Sequence, residues 1–208
     1  MAWVLPDPTL KQLIMGTTAF DLLPEQSGIE WTGRKITGAH NGTIAIKAGT
    51  LLVENGKLIG GKFIIDTTSI KILDITDPDT NAQFAAHLAS DDFFASNQFP
   101  IATFETILVT PISNSLYHVD GTLTIKGITA PVEFDVMAEI SDSMVIAAGK
   151  ITVDRTNYAM KFRSGNYFKD LGDTLIYNDF DLNVNIAAKI GEPTAADQPG
   201  KTITAERH

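Results

Sequence analysis

The chain has no cysteine, which excludes disulfides, thiolate metal sites and a cysteine nucleophile. It is also short of positive charge: 16 Lys and Arg stand against 25 Asp and Glu, a formal net charge of −9. That balance argues against a nucleic-acid partner, whose phosphates demand a basic face. It argues equally against docking on anionic lipid headgroups, while a neutral hydrophobic ligand is indifferent to it. No apolar run approaches the ~20 residues that cross a bilayer as a helix, so no stable membrane insertion is expected. The N-terminus, MAWVLPDPTLKQ, lacks a basic segment leading into a continuous apolar one, and two prolines interrupt it. As written, the chain reads as soluble and cytoplasmic, or as periplasmic where a signal peptide has been removed, and the compartment stays open.

Catalytic motifs are missing too. No G-x-S-x-G elbow, P-loop or G-x-G-x-x-G follows a strand. The histidines His40, His87, His118 and His208 form no H-x-H or H-x-x-x-H arrangement, so no metal site is expected. His118 falls opposite its strand's apolar face, His87 reads as a packed or capping residue, and His40 precedes a strand. Asp74, Asp77 and Asp79 lack the glycine and distal glutamate of a calcium loop, and negative charge at a helix N-terminus explains them more simply. Asp91 and Asp92 read likewise, as caps. No catalytic residue and no cofactor are expected.

What is present is alternation. The 208 residues, 44% hydrophobic, suffice for one large domain. Residues 9–23 suggest a short helix. From Ser27 the period becomes two: GIEWTGRKI, NGTIAIKAGTLLV and KLIGGKFIIDTTSIKI read as strands, the last two joined at Asn55-Gly56, a hairpin signal. In the third, Ile59, Phe63 and Ile65 share a face, and Gly60-Gly61 suggests a bulge or close backbone approach. Thr80 with Gln83 has the form of a capping box, and Phe84, His87 and Leu88 share a helical face over about residues 80–89. The stretch HLASDDFFASNQFPIATF then crowds Phe93, Phe94, Phe99 and Phe104 together before strands resume.

The later strands place Ala102, Phe104, Thr106 and Leu108 on one face, then Tyr117 to Ile125, Val132 to Ile140, Val145 to Val153 and Phe180 to Ala188 at every second residue. About eight long antiparallel strands, each with one apolar face, can close into a barrel or stack as a sandwich, and their lengths favour an all-β, elongated barrel with a short inserted helix. Small inward residues, Gly121, Ala138, Ala147 and Gly149, either leave a cavity or accommodate large phenylalanines opposite. Residues 155–180 form an aromatic and charged excursion at one barrel end. The expected division is an N-terminal extension 1–26, a barrel 27–189 and a flexible tail 190–208.

Two motifs carry a resemblance. Leu88, Ser90, Asp92, Phe93, Phe94, Phe99, Pro100 and Phe104 form the first; Gly121, Leu123, Thr124, Ile125, Lys126, Gly127 and Thr129 form the second. In this order and spacing they resemble the YceI-like family over residues 27–189. The resemblance implies a bacterial, extended lipocalin-like barrel that binds isoprenoid or other amphiphilic lipids in an internal tunnel. It departs in the residues before the barrel and in the excursion.

The reading is therefore a non-enzymatic protein that binds, transports or stores an isoprenoid or fatty-acyl lipid. Phe63, Ile65, Phe94, Phe104, Ile125, Phe134 and Phe180 are the expected tunnel lining, and Trp31, His40 and Tyr158 the expected contacts near a mouth. An enzyme acting on a hydrophobic substrate and a filled barrel acting through a protein partner remain alternatives, and a homodimer stays open.

Overall fold

Strands with one apolar face must cover it, and a sheet closed on itself does so without leaving edges. The computed structural model describes residues 16–191. In it nine antiparallel strands form one sheet: β1 (Thr17–Leu22), β2 (Gly28–Lys35), β3 (Gly38–Glu54), β4 (Lys57–Ile72), β5 (Ile101–Pro111), β6 (Leu116–Ile125), β7 (Ile128–Ile140), β8 (Met144–Asp154) and β9 (Ile176–Ile190). Strands β2 to β9 pair in sequence, and β2 pairs with β9, closing an eight-stranded barrel. Its length comes from β3 and β9, of 17 and 15 residues.

Eight-residue β2 is too short to line both of those neighbours. β1 completes the position: it pairs with the far halves of β3 (Thr17↔Glu54 to Asp21↔Thr50) and β9 (Phe20↔Ile190 to Leu22↔Ala188). A 3-10 turn at Pro24–Gln26 links the two pieces. Residues 17–22 are therefore strand, not the expected helix, and the sheet begins ahead of residue 27. Phe20 and Leu22 alternate inward along it, buried against the core, and a helix would not offer that period of two. Residues 9–15, the remainder of the expected helix, and most of the expected tail lie outside the described residues.

Hairpins β3–β4 and β6–β7 turn on Asn55-Gly56 and Lys126-Gly127, both pairs with positive φ, as a two-residue turn matching strand twist requires. Two expected faces break at bulges. Between Thr106↔Gly121 and Leu108↔Asp120 the β5–β6 register slips by one residue. Leu108 therefore turns out to solvent, while Val109 packs against the core. Between Val53↔Leu58 and Leu52↔Gly60 Ile59 is left without a partner and is likewise exposed. One extra residue inverts the pleat.

α1 (Pro78–Ala89) crosses one end of the barrel. Its cap is Asp77, whose carboxylate accepts from the Thr80 N–H (2.9 Å) and hydroxyl (2.6 Å), with Pro78 opening the first turn. The expected Thr80/Gln83 box is thus displaced by three residues. The Thr80 bonds hold the Asp77 carboxyl below its ordinary pKa.

The barrel's two halves are filled differently. At the end away from α1 the interior is solid, with Phe20, Val53, Tyr117, Val145 and Ala188 all nearly inaccessible. At the waist Phe63, Phe104 and Phe134 form a layer, ring centroids 6.4 Å (Phe63–Phe104) and 5.6 Å (Phe104–Phe134) apart. Glycines seat them. A Cβ on Gly49 would lie 2.2 Å from the Phe63 ring, and one on Gly121 would lie 2.5 Å from that of Phe104. Of the small inward residues expected, Gly121 takes the second role, while a Cβ on Gly149 would meet Asp135 and Val136 instead. Gly49→Ala is expected to destabilise the fold by about 1–3 kcal/mol through overpacking. Pairing it with Phe63→Leu should reduce the added penalty, a coupling read by a double-mutant cycle in denaturant. Gly28→Ala, with no atom near its Cβ, should stay within about 0.5 kcal/mol.

Candidate functional site

Above the phenylalanine layer the barrel is open. A chamber of about 580 Å³ lies between the sheet, α1 and the excursion after β8. That volume falls within the range of about 300–1,000 Å³ in which small-molecule sites occur. Its lower walls are aliphatic, with Ile44 on β3, Ile65 and Ile70 on β4, Ile125 on β6 and Leu182 on β9. A second space of about 100 Å³ lies within the aromatic waist, bounded by Phe63, Phe104 and Phe134, and shares Ile29, Ile65, Leu123 and Leu182 with the chamber.

The roof is built by local hydrogen bonding. After α1 the chain folds back at once: the Phe94 N–H donates to the Leu88 carbonyl (3.0 Å), and the Ala95 N–H to that of Ser90 (2.8 Å). Thr67 on β4 clasps this turn, donating its hydroxyl to the Phe99 carbonyl (2.7 Å) and accepting from Ser96 Oγ at its own carbonyl (3.1 Å). Phe93 and Phe94 are thereby brought into the chamber wall. His87 stands edge-on between Phe93 and Phe162, at 5.0 and 4.6 Å.

The excursion is held by Arg155. This side chain is 3% exposed and donates to the carbonyls of Met160 (2.6 Å), Ile176 (3.0 Å) and Tyr177 (3.0 Å). Burial lowers the guanidinium pKa, offset in part by the charge of Asp154. The group thus pins both ends of the loop, and Met160 and Phe162 reach the chamber between them. Outside the wall, Asp181 ties β9 to its neighbours through Arg34 on β2 (2.7 Å) and Lys150 and Thr152 on β8 (3.0 and 2.8 Å).

The two histidines at the chamber are each engaged with a carboxylate. His40 Nδ1 lies 2.7 Å from Asp74, which also accepts the Asn41 N–H, and its ring packs on Phe84 at 4.8 Å. His87 Nε2 lies 3.1 Å from Asp92. Asp92 is therefore a partner of the histidine rather than the expected cap. His118 lies far from this end, on the outer sheet face, 2.7 Å from Asp135. That hydrogen bond, reinforced by Asp120, raises its pKa, and His118, Asp120 and Glu133 bring potential metal ligands within 4.8 Å of one another.

Set beside known proteins, residues 20–188 match the description of a YceI-like domain. The chain belongs to the YceI-like family. A UPF0312 protein of Staphylococcus aureus is 34% identical to it over 115 residues, 51% of this chain and 61% of that protein. The chain thus spans about three fifths of the length of the curated relatives it matches. BcnA of Burkholderia cenocepacia shares the fold at a TM-score of 0.63 and 20% identity, over 80% of this chain and 99% of that one. A polyisoprenoid-binding domain of Saccharophagus degradans does so at 0.58 and 13%, over 84% and 99%.

Within this YceI-like barrel the expected lining divides in two. Trp31, His40, Ile65, Phe94, Ile125 and Phe180 border the chamber. Phe63, Phe104 and Phe134 surround the waist space instead. Tyr158 borders neither. It is 1% exposed beside Arg155, its hydroxyl has no hydrogen-bond partner, and burial pushes its pKa up to about 12. Its place in a 3-10 turn, Arg155–Tyr158, directs it into the core rather than to the mouth. Sequence reasoning missed Ile44, Ile70, Met160 and Phe162. For Ile44 the strand period was signal enough. Ile70 is out of phase with Ile65 and is brought inward by the register shift between Ala45↔Asp66 and Thr43↔Lys71. For Met160 and Phe162, in a loop without period, there was none.

Burial pushes the Asp181 carboxyl up, but hydrogen bonds from Arg34, Lys150 and Thr152 outweigh it and hold the pKa at about 2, below the ordinary 3.8. A depressed folded pKa stabilises above the unfolded value and is lost as pH falls towards the folded one. Thermal unfolding should therefore show wild-type stability falling between about pH 4 and pH 2 in part through this group. Asp181→Asn should be less stable at neutral pH and show a shallower fall across that window.

Proposed function

We propose that this protein binds a long-chain isoprenoid or fatty-acyl lipid in the chamber, as a carrier or store and without catalysis. The observation that carries the reading is the chamber itself: an apolar space of about 580 Å³, floored by phenylalanines and walled by isoleucines, inside a barrel whose far half is packed. Burying methylenes there is worth about 0.8 kcal/mol each before ordering losses, so affinity needs no reactive group. The family supports it by analogy, since one structure sharing the fold is a polyisoprenoid-binding domain. The histidines at the chamber, each held against a carboxylate and an aromatic ring, are poorly placed to move protons on a substrate.

Mass spectrometry of an organic extract of the purified chain should reveal a stoichiometric lipid, or the emptied chain should take up an offered prenol or fatty acid. A chain that yields none and takes up neither overturns the reading. Ile125→Phe, which fills space in the chamber wall, should lower lipid stoichiometry without loss of fold. Phe104→Ala, which joins chamber and waist, should shift the bound species to longer chains, while losing about 3–5 kcal/mol of stability.

A further inference from the structure

The surface around the chamber's mouth differs from the rest of the molecule. Among the described residues three Phe and Tyr side chains are exposed: Tyr167 (49%), Phe168 (49%) and Tyr177 (47%). All three lie on or just beyond the excursion that roofs the chamber, and Tyr177 also lines it. Ile36, in the β2–β3 turn, extends the patch; it is exposed and donates its N–H to the Leu175 carbonyl (3.2 Å). Cations interleave with the rings. Lys161 Nζ stands 4.8 Å above Tyr167, and the Arg163 guanidinium lies 5.1 Å from Phe162. With Lys35 and Lys169 they stand against Asp170, Asp173 and Asp179, so the excursion's side of the mouth is close to neutral in a chain of net charge −9.

From this juxtaposition we propose that the mouth docks on a lipid bilayer surface, with Tyr167, Phe168 and Tyr177 seated at the interface, and that ligand passes between bilayer and chamber through that contact. Tyrosines and phenylalanines flanked by snorkelling lysines and arginines suit the boundary between headgroups and acyl chains. The whole-chain charge that argues against docking on anionic lipid does not describe this end. The docking stands on the surface alone; the transfer rests on the lipid-binding reading. Its physical reason is kinetic. Each methylene exposed to water slows escape from a bilayer about fourfold, so a chain of a dozen is slowed on the order of ten-million-fold unless the donor and acceptor touch.

The test compares the full chain with a Tyr167→Ser/Phe168→Ser variant, both sites being exposed and outside every strand. In flotation with phosphatidylcholine vesicles, with and without phosphatidylglycerol, the wild type should float and the variant should partition at least about tenfold less. Delivery of a fluorescent fatty acid from protein to acceptor vesicles should quicken with vesicle concentration for the wild type and lose that dependence in the variant. Equilibrium uptake of the same fatty acid and thermal unfolding should be unchanged. A wild type that floats with neither vesicle, a variant that floats equally well, or a patch that proves to join two copies in sedimentation, overturns the docking. Flotation without uptake of either a fatty acid or a prenol upholds the docking and overturns the lipid-binding reading.

Discussion

The open chamber depends on how three phenylalanines are seated at the barrel's waist. An eight-stranded barrel has an interior that side chains can just fill. Phe63, Phe104 and Phe134 would crowd it if every strand carried a Cβ opposite them. Gly49 and Gly121 remove those atoms where the rings of Phe63 and Phe104 lie. The rings meet at the waist, Phe63 stacked on Phe104 and Phe134 tilted against it, between the solid half and the half that is left open. The glycines therefore create space for aromatic side chains, and the chamber is what remains above them.

The roof follows a second rule, that a segment without regular pairing must satisfy its backbone by other means. The excursion between β8 and β9 has only short 3-10 turns, at Arg155–Tyr158 and Gly172–Thr174. Arg155 supplies the missing donors, three N–H groups to three carbonyls at the two ends of the loop. A buried guanidinium is retained only when its donors are occupied, so the cation and the loop hold each other in place. Between those anchors the loop turns Met160 and Phe162 into the chamber and leaves Tyr167 and Phe168 outside. Interior lining and exposed rim are thus consequences of one anchoring residue.

Much of this was legible in the residues. β6 to β9 alternate cleanly, and their inward sets, from Tyr117–Ile125 to Phe180–Ala188, are those the period of two indicates. Legibility ended where the period was interrupted. Ile59 and Leu108 carry the right residue type for the core, but a bulge on either strand moves them outward, and register across two strands is not written in one of them. The division of the lining between chamber and waist was hidden for the same reason. Phe63 reads like Ile65 along β4; only its partner across the ladder, Gly49, decides that its ring lies down across the waist. The excursion has no period at all, which is why Tyr158 was placed at a mouth it does not reach.

A chamber open at one end also fixes how an amphiphile can lie in it. Below, the way is barred by the phenylalanine layer and then by a core in which Tyr117, Val145 and Ala188 are at most 1% exposed. The aliphatic walls of Ile44, Ile65 and Ile125 lie between that floor and a rim where Lys35, Arg163 and Asp173 border the same space. A polar end driven downward would lose its water against surfaces that offer no donor or acceptor, at several kcal/mol for a charged or strongly hydrated group. An amphiphile bound there would enter tail first, with its polar end among the charged side chains. Exchange through the mouth would then need no inversion of such a ligand: the end nearest water in the protein would also be the end nearest water in a bilayer.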